Sequence, residues 1–503
     1  MGFMKALEKN EKGLTDNGSV GFVTEGHKLV DLNFAIPSFR NGIDEHLFDL
    51  ALEEDKILTL KWLLYLRDVR GGVGERSSFR DFMVYLCDNH TYIAVKFIRG
   101  VDIAEYGRWD DVLDIYFRTE NKEVKEIIKY KVVGQFIEDI ENLKANKPVS
   151  LLAKWMYSEN ASSIITKNRA KELRKWFNLS SKEYRKVLSK LRKHIDVVEC
   201  KMSANKWDKI DYSAVPSKAN LNYGDAFMRH DYVRRENYLA ELANGETKIN
   251  AQAMFLHDIV HKYRGACCKD ATLEALWKAQ NKVEGFSDTL VVRDGSGSMF
   301  TRIDNTGIYA LEVATAITLY CAQNNSGQFK NKFITFSSRP KLVTVTSNNL
   351  YNNLNEIRKY NDCSDTNIEA TFDLILNTAI KNNMSQEDLP KTVLIVSDMQ
   401  FNKARGYYFY DEVLEEQDEA LFETIRNKFE RNGYEMPKLV FWNLCGHSSV
   451  IPLTENKNGV VLLSGFSKNL LKMVMSSKLN PYEALVEQLN VERYSVVDKI
   501  FES

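Results

Sequence analysis

Apolar residues follow two different periods along this chain, and the change falls near Glu284-Gly285. From about residue 44, Leu47, Leu50, Leu52, Ile57, Leu60, Trp62, Leu63 and Leu66 recur at three- and four-residue steps. That spacing predicts helices that bury one face. The glycine-rich Arg70-Gly71-Gly72-Val73-Gly74 interrupts the pattern, and Phe79, Phe82, Met83, Tyr85 and Leu86 resume it. Further helices are predicted over residues 92–101, 109–117, 123–143, 151–157, 170–177, 181–193 and 224–243. Ser180-Ser181-Lys182-Glu183 supplies a capping-type start for one of them. An all-helical run with short connections predicts stacked helix pairs of a solenoid type, with a compact bundle as the alternative. Residues 1–43 lack a clear period, and 20–32 read as a strand pair or an extended arm.

Beyond residue 285, short apolar runs alternate with helical segments. Strands are predicted at 289–292, 333–336, 342–345, 392–396, 439–442 and 460–463, and helices at 307–321, 350–359, 368–381, 418–432, 468–475 and 481–489. Alternation of this kind marks a doubly wound α/β domain. The run 333–336 is followed by 342–345 across only Ser337-Ser338-Arg339-Pro340-Lys341. That connection is too short for a crossover helix, so this pair should be an antiparallel hairpin at the sheet edge. The expected fold class is α plus α/β: an irregular arm (1–43), a HEAT-like α-helical repeat domain (44–283) and a doubly wound, Rossmann-like domain (284–503).

Candidate chemistry begins where the first strand of that second domain ends. Leu290, Val291 and Val292 lead into Asp294-Gly295-Ser296-Gly297-Ser298, one carboxylate and two hydroxyls in a tight loop. These are hard oxygen donors, suited to Mg²⁺, Mn²⁺ or Ca²⁺. In an open parallel sheet, ligands bind beyond the carboxyl ends of the strands where the strand order reverses. Leu394-Ile395-Val396-Ser397 ends a second buried strand at Asp398, and Thr366 precedes the helix expected from 368. Asp-x-Ser-x-Ser, then Thr, then Asp resembles the metal-ion-dependent adhesion site of von Willebrand factor A domains. The resemblance implies Ser296, Ser298 and Thr366 as direct or near-direct hydroxyl ligands, with Asp294 and Asp398 binding directly or through water. It implies Mg²⁺ first, and an open coordination position for an incoming carboxylate. No Ser/His/Asp or Cys/His pairing supplies a base, and His447 reads as a loop residue. A non-catalytic protein is therefore expected, with a metal-dependent hydrolase as the lesser alternative.

Net charge is −1, so any affinity for a polyanion must come from a local patch. One exists: residues 165–236 hold 18 Lys plus Arg against 9 Asp plus Glu. Lys182, Arg185, Lys186, Lys190, Arg192 and Lys193 lie at spacings that place several on one helix face, and Arg234 and Arg235 follow. Tyr184, Trp207, Tyr212, Tyr223 and Tyr232 are interleaved. Cations for phosphates and aromatics for unpaired bases fit a nucleic-acid surface; a solvated helix face with core aromatics explains the same composition. The acidic run 411–419 reads as a solvated helix start. His257 and His261 have zinc-clasping spacing but no evident third ligand, so packed or surface histidines are the default. The Gly71–Gly74 cluster lacks a preceding strand and a following Lys-Ser/Thr, and reads as a helix–helix turn rather than a phosphate loop. The 7 cysteines are scattered, as expected of reduced thiols in a cytoplasmic setting. No signal peptide, myristoylation signal or membrane-length apolar run is evident.

The order of parts resembles the Ro ribonucleoprotein architecture, a helical-repeat (TROVE) ring followed by a von Willebrand A domain. Several strings resemble the domain-of-unknown-function 2828 family more closely: Leu66-Arg-Asp-Val-Arg-Gly-Gly-Val-Gly-Glu-Arg76, Tyr106-Gly-Arg-Trp-Asp-Asp111, Leu151-Leu-Ala-Lys-Trp155, Tyr184-Arg-Lys-Val-Leu-Ser189, Lys248-Ile-Asn-Ala251 and Val396-Ser-Asp-Met399. The Ro resemblance implies that the helical part binds small structured or misfolded RNA and that the protein is a ribonucleoprotein component. The expected state is a monomer off the membrane. A metal-dependent protein-interaction scaffold without RNA is the alternative.

Overall fold

The computed structural model describes residues 12–15, 17–280, 282–283, 285–303, 307–336, 339–361, 367–401, 421–446, 450–454 and 456–502. They form two compact units, each discontinuous in sequence. One takes residues up to 62, 71–74 and 254–492; the other takes 63–70, 75–253 and the residues from 493 on.

The first unit is built on a sheet. β1 (Lys12–Leu14) and β2 (Val20–Phe22) form a small antiparallel ribbon. β3 (Thr289–Asp294), β4 (Lys332–Phe336), β5 (Lys341–Thr344), β6 (Thr392–Ser397), β7 (Lys438–Asn443) and β8 (Val460–Ser464) form one sheet in the order β5-β4-β3-β6-β7-β8. All neighbours are parallel except β4 and β5, the antiparallel edge hairpin expected from its short connection. This is the doubly wound strand order, with its switch point between β3 and β6. β3 is buried along its whole length, as a central parallel strand covered on both faces must be. The flanking helix Ala310–Asn324 is buried almost all round, consistent with its Ala-rich, largely apolar sequence.

The amino-terminal segment is more regular than its sequence suggests. Residues Lys28–Phe34 form a helix that buries Leu29, Val30, Leu32 and Phe34. The segment is tied to strand ends far along the chain: Ser464 Oγ donates to the Phe34 carbonyl (2.7 Å), and Phe22 pairs with Ile451. Its apolar residues are satisfied by distant partners, so local periodicity could not reveal them.

The second unit is helical. Helices Ser77–Asn89, Thr91–Gly100, Trp109–Arg118, Lys122–Lys144, Ile164–Trp176, Ser181–Ile195, Ser217–His230 and Tyr232–Asn244 pack largely on their neighbours in sequence, the arrangement of stacked helix pairs. The single helix expected over 224–243 is two helices broken at Asp231, whose carboxylate accepts from Tyr212 Oη (2.9 Å) and Arg234 (2.8 Å). The Pro481–Leu489 helix matches its expected bounds, and a further helix follows at Val496–Phe501. Among the described residues, no helix is long and apolar enough to cross a membrane.

Candidate functional site

The switch point brings together four of the five residues expected to hold a cation. Asp294, the last residue of β3, is fully buried. Its Oδ1 accepts the Ser296 N–H at 2.9 Å and its Oδ2 accepts the Ser397 hydroxyl at 2.6 Å. The Ser296 and Ser298 hydroxyls lie 3.0 Å apart in the following loop. Asp398, just beyond β6, is fully buried, and its Oδ1 accepts from Gln400 N at 3.2 Å. Ser397 Oγ also accepts from Met399 N (3.0 Å), and Met399 turns the chain at a left-handed φ of 63°. A non-glycine residue there is strained, and such conformations gather at functional loops. Thr366 and His447 lie outside the described residues, as do residues 411–419.

Burial and the neighbouring charge of Asp398 push the Asp294 carboxyl up to about 7, against hydrogen bonds from Ser397 and Ser296 that pull it down. Two carboxylates held in one dry site favour any added positive charge. The adjacent Arg293 guanidinium donates to Thr315 Oγ1 (3.0 Å) and Asn361 Oδ1 (2.6 Å). The donor set of two carboxylates and two hydroxyls fits Mg²⁺. Among the described residues there is no group of three or more His, Cys, Asp or Glu able to hold a metal, so the hydroxyls are essential to this fit. Arg293 was not singled out by sequence pattern, since a buried charge inside an apolar strand carries no periodic signal.

The basic stretch divides sharply. On helix Ser181–Ile195, Tyr184, Leu188 and Leu191 are buried, while Lys182, Arg185, Lys186, Lys190 and Lys193 are exposed. At 100° per residue these cations share one side of the helix, spread over about 16 Å of its length. Arg192 is different: it donates to the Ala153 and Met156 carbonyls (2.8 and 2.7 Å) and to Ser158 Oγ (2.8 Å). It anchors the short helix Leu152–Trp155 and is corrected from surface contact to internal tie. Arg234 likewise donates to the Trp207 and Ile210 carbonyls (2.8 and 2.7 Å). Arg235 is fully buried beside the rings of Tyr212, Phe227 and Tyr238 and donates to Asn220 Oδ1, so no polyanion can reach it. The interleaved aromatics are mostly interior as well. Tyr184 and Tyr212 are buried and Trp207 and Tyr223 pack on the local core, leaving Tyr232 as the exposed one of the five.

The histidine pair is no metal clasp: His257 stacks on Phe255, and His261 Nδ1 meets the Glu312 carboxylate at 3.1 Å. Helix spacing put them on one face, but different neighbours claim each ring.

A unit of stacked helices and a doubly wound α/β unit with an acidic, hydroxyl-rich switch point are the class that this fold and site define. Residues 144–291 match the family described as "Domain of unknown function (DUF2828)", and residues 288–499 match "Domain of unknown function (DUF7788)". The chain is 31% identical over 519 residues to the uncharacterized protein L728 of Acanthamoeba polyphaga mimivirus, a match covering 94% of this chain and 86% of that protein. The chain belongs to the family of that mimivirus protein, and residues 144–291 are its DUF2828 portion. Among solved structures it is similar to the Ro (RSR) protein of Deinococcus radiodurans, at 11% identity and a TM-score of 0.36, covering 88% of this chain and 93% of that one.

Proposed function

We propose that the helical unit binds structured RNA through its phosphate backbone, and that the α/β unit holds a divalent cation, Mg²⁺ first, for capture of a carboxylate ligand. The observation that carries the RNA reading is the single cationic face of Ser181–Ile195, with Lys182, Arg185, Lys186, Lys190 and Lys193 exposed together. A cationic helix face whose own ring, Tyr184, is buried suits phosphates of a folded RNA better than unpaired bases, which call for stacking platforms. Asp294, Asp398, Ser296 and Ser298 would hold the ion, with Ser397 orienting Asp294. When bound, the ion supplies an electrophilic point for an outside carboxylate. The role proposed is binding rather than turnover.

The test is fluorescence anisotropy with a hairpin RNA at several salt concentrations. Replacing the five exposed cations by Gln should weaken binding more than ten-fold and flatten the log–log salt slope by about four, near 0.9 per lost phosphate contact. Unchanged affinity would remove RNA from the reading. A second reading, a metal-dependent protein scaffold, is favoured by the interior placement of Arg192, Arg234, Arg235 and most of the aromatics. It would be selected if RNA fails to bind while a carboxylate-bearing protein partner is held in Mg²⁺ and released by EDTA.

A further inference from the structure

The helical unit contains a second cationic cluster, assembled from strings that neither the RNA face nor the cation site uses. Arg67 meets the Asp111 carboxylate through Nε (2.9 Å) and Nη2 (2.8 Å). Arg80 meets the same carboxylate through Nε (2.7 Å) and reaches Asp110 through Nη2 (2.8 Å). Asp111 also accepts the Arg108 backbone N–H at 2.9 Å. Gly107 permits this approach, since a Cβ there would fall 2.4 Å from Asp111 Oδ2 and 2.9 Å from Arg67 Nε. Arg67 and Arg80 thus engage both carboxylates, with the buried Asp110 Oδ1 left without a hydrogen-bond partner among the described residues.

Arg76 and Arg108 remain. Both are exposed, and among the described residues neither has a carboxylate within ion-pair distance. Arg76 is the first-turn flank of helix Ser77–Asn89, and Arg108 holds the same place before Trp109–Arg118. Helix starts add partial positive charge to the two guanidinium groups. No side chain caps the Ser77–Asn89 start, and Ser78 Oγ, fully buried in that first turn, has no hydrogen-bond partner among the described residues. The Arg108 guanidinium stands 5.0 Å from the Trp155 ring centre, with Lys154 Nζ 5.8 Å from the same ring. Desolvation pulls the Arg108 guanidinium below its usual value; the Asp110 carboxylate opposes this, and Arg67 and Arg76 add to it.

We propose that Arg76 and Arg108, beside Trp155, form a binding site for a phosphate group. Guanidinium forks match phosphate oxygens in paired hydrogen bonds, and the indole offers a flat apolar wall on which the rest of a nucleotide can lie. The group is therefore that of a nucleotide or free phosphate, and the site stands apart from the Lys182–Lys193 face.

Calorimetric titration of the full chain with inorganic phosphate and with adenosine monophosphate tests this. Wild type should bind, and Arg76→Gln/Arg108→Gln should weaken binding at least ten-fold, while Lys182→Gln/Lys186→Gln binds as wild type. Tighter binding of the monophosphate than of phosphate, lost in Trp155→Ala, assigns a nucleotide; equal binding assigns a free phosphate group. Arg108→Lys keeps the charge and the fold but loses the fork, so a several-fold loss there supports the site even if the double variant unfolds. Undiminished binding by the Arg76→Gln/Arg108→Gln variant, or no binding of either probe by wild type up to about 10 mM, overturns the proposal.

Discussion

Replacing Asp111 by Ala should be among the most damaging single changes in the helical unit. Its carboxylate is fully buried and takes four donors: Arg67 Nε and Nη2, Arg80 Nε and the Arg108 N–H. The Arg67 side chain is only 4% exposed, so it cannot turn to water when its partner is lost. Leaving such a charge unpaired costs about 3–5 kcal/mol. Losing the acceptor for the Arg108 N–H adds about 1 kcal/mol. Arg80 keeps Asp110 and is partly solvated, which moderates the sum. The expected loss is about 4 kcal/mol, near a thousand-fold in the folding equilibrium. Urea unfolding of the full chain, followed by far-ultraviolet dichroism, should show the helical transition moving to lower denaturant in Asp111→Ala. The pair Arg67→Met/Asp111→Leu should recover most of that loss, since apolar replacement of both partners removes the unpaired charge. A loss below about 1 kcal/mol in Asp111→Ala would refute this account, because it would mean that water reaches the pair.

Three further outcomes follow from the structure. Asp294→Asn and Asp398→Asn should each abolish the melting shift given by Mg²⁺ yet be no less stable than wild type without it, as each removes one of two mutually repelling buried charges; an unchanged Mg²⁺ response would exclude the site. Lys468, largely withdrawn from water, has a folded-state value of about 8, below its unfolded one. Its penalty is therefore present at neutral pH and fades as pH rises from about 8 toward the unfolded value near 10.4. Wild type should accordingly gain about 2 kcal/mol relative to Lys468→Met over that window, discounted for partial exposure; parallel stability curves would contradict it. Gly107→Ala should cost about 2–3 kcal/mol by forcing the Arg67–Asp111 pair apart, read as a lowered urea midpoint and absent if the loop can yield.

What could be read in advance depended on whether a signal was local. The β4–β5 hairpin followed from five connecting residues, and Pro481–Leu489 from its own periodicity and proline start. Asp294 and Asp398 could be placed at one edge because each ends an apolar strand, and the doubly wound order does the rest. The helix Lys28–Phe34 was hidden because its stabilising partners are more than 400 residues away, at Asn443 and Ser464. Composition counted Arg235 as surface charge, yet only the fold shows its guanidinium among Tyr212, Phe227 and Tyr238. The strings Leu66–Arg76 and Tyr106–Asp111 were recognisable as text, while the Arg67–Asp111 pairing that explains them is a tertiary fact.

The discontinuity of the two units bears on how the chain is made. The helical unit includes Val496–Phe501, which packs on Thr91–Gly100 so closely that a Cβ at Gly100 would lie 2.4 Å from Ile500 Cδ1. Arg493 and Tyr494 also bind Asp68. The sheet unit, for its part, holds the amino-terminal Lys28–Phe34 helix against strand ends synthesised last. Domains generally fold as units during synthesis, amino-terminal ones first. Here neither unit can be finished early: the helices wait for the tail, and the arm waits for β7 and β8. Cutting the chain near residue 284 would thus yield two incomplete pieces, each lacking a segment that its own core needs.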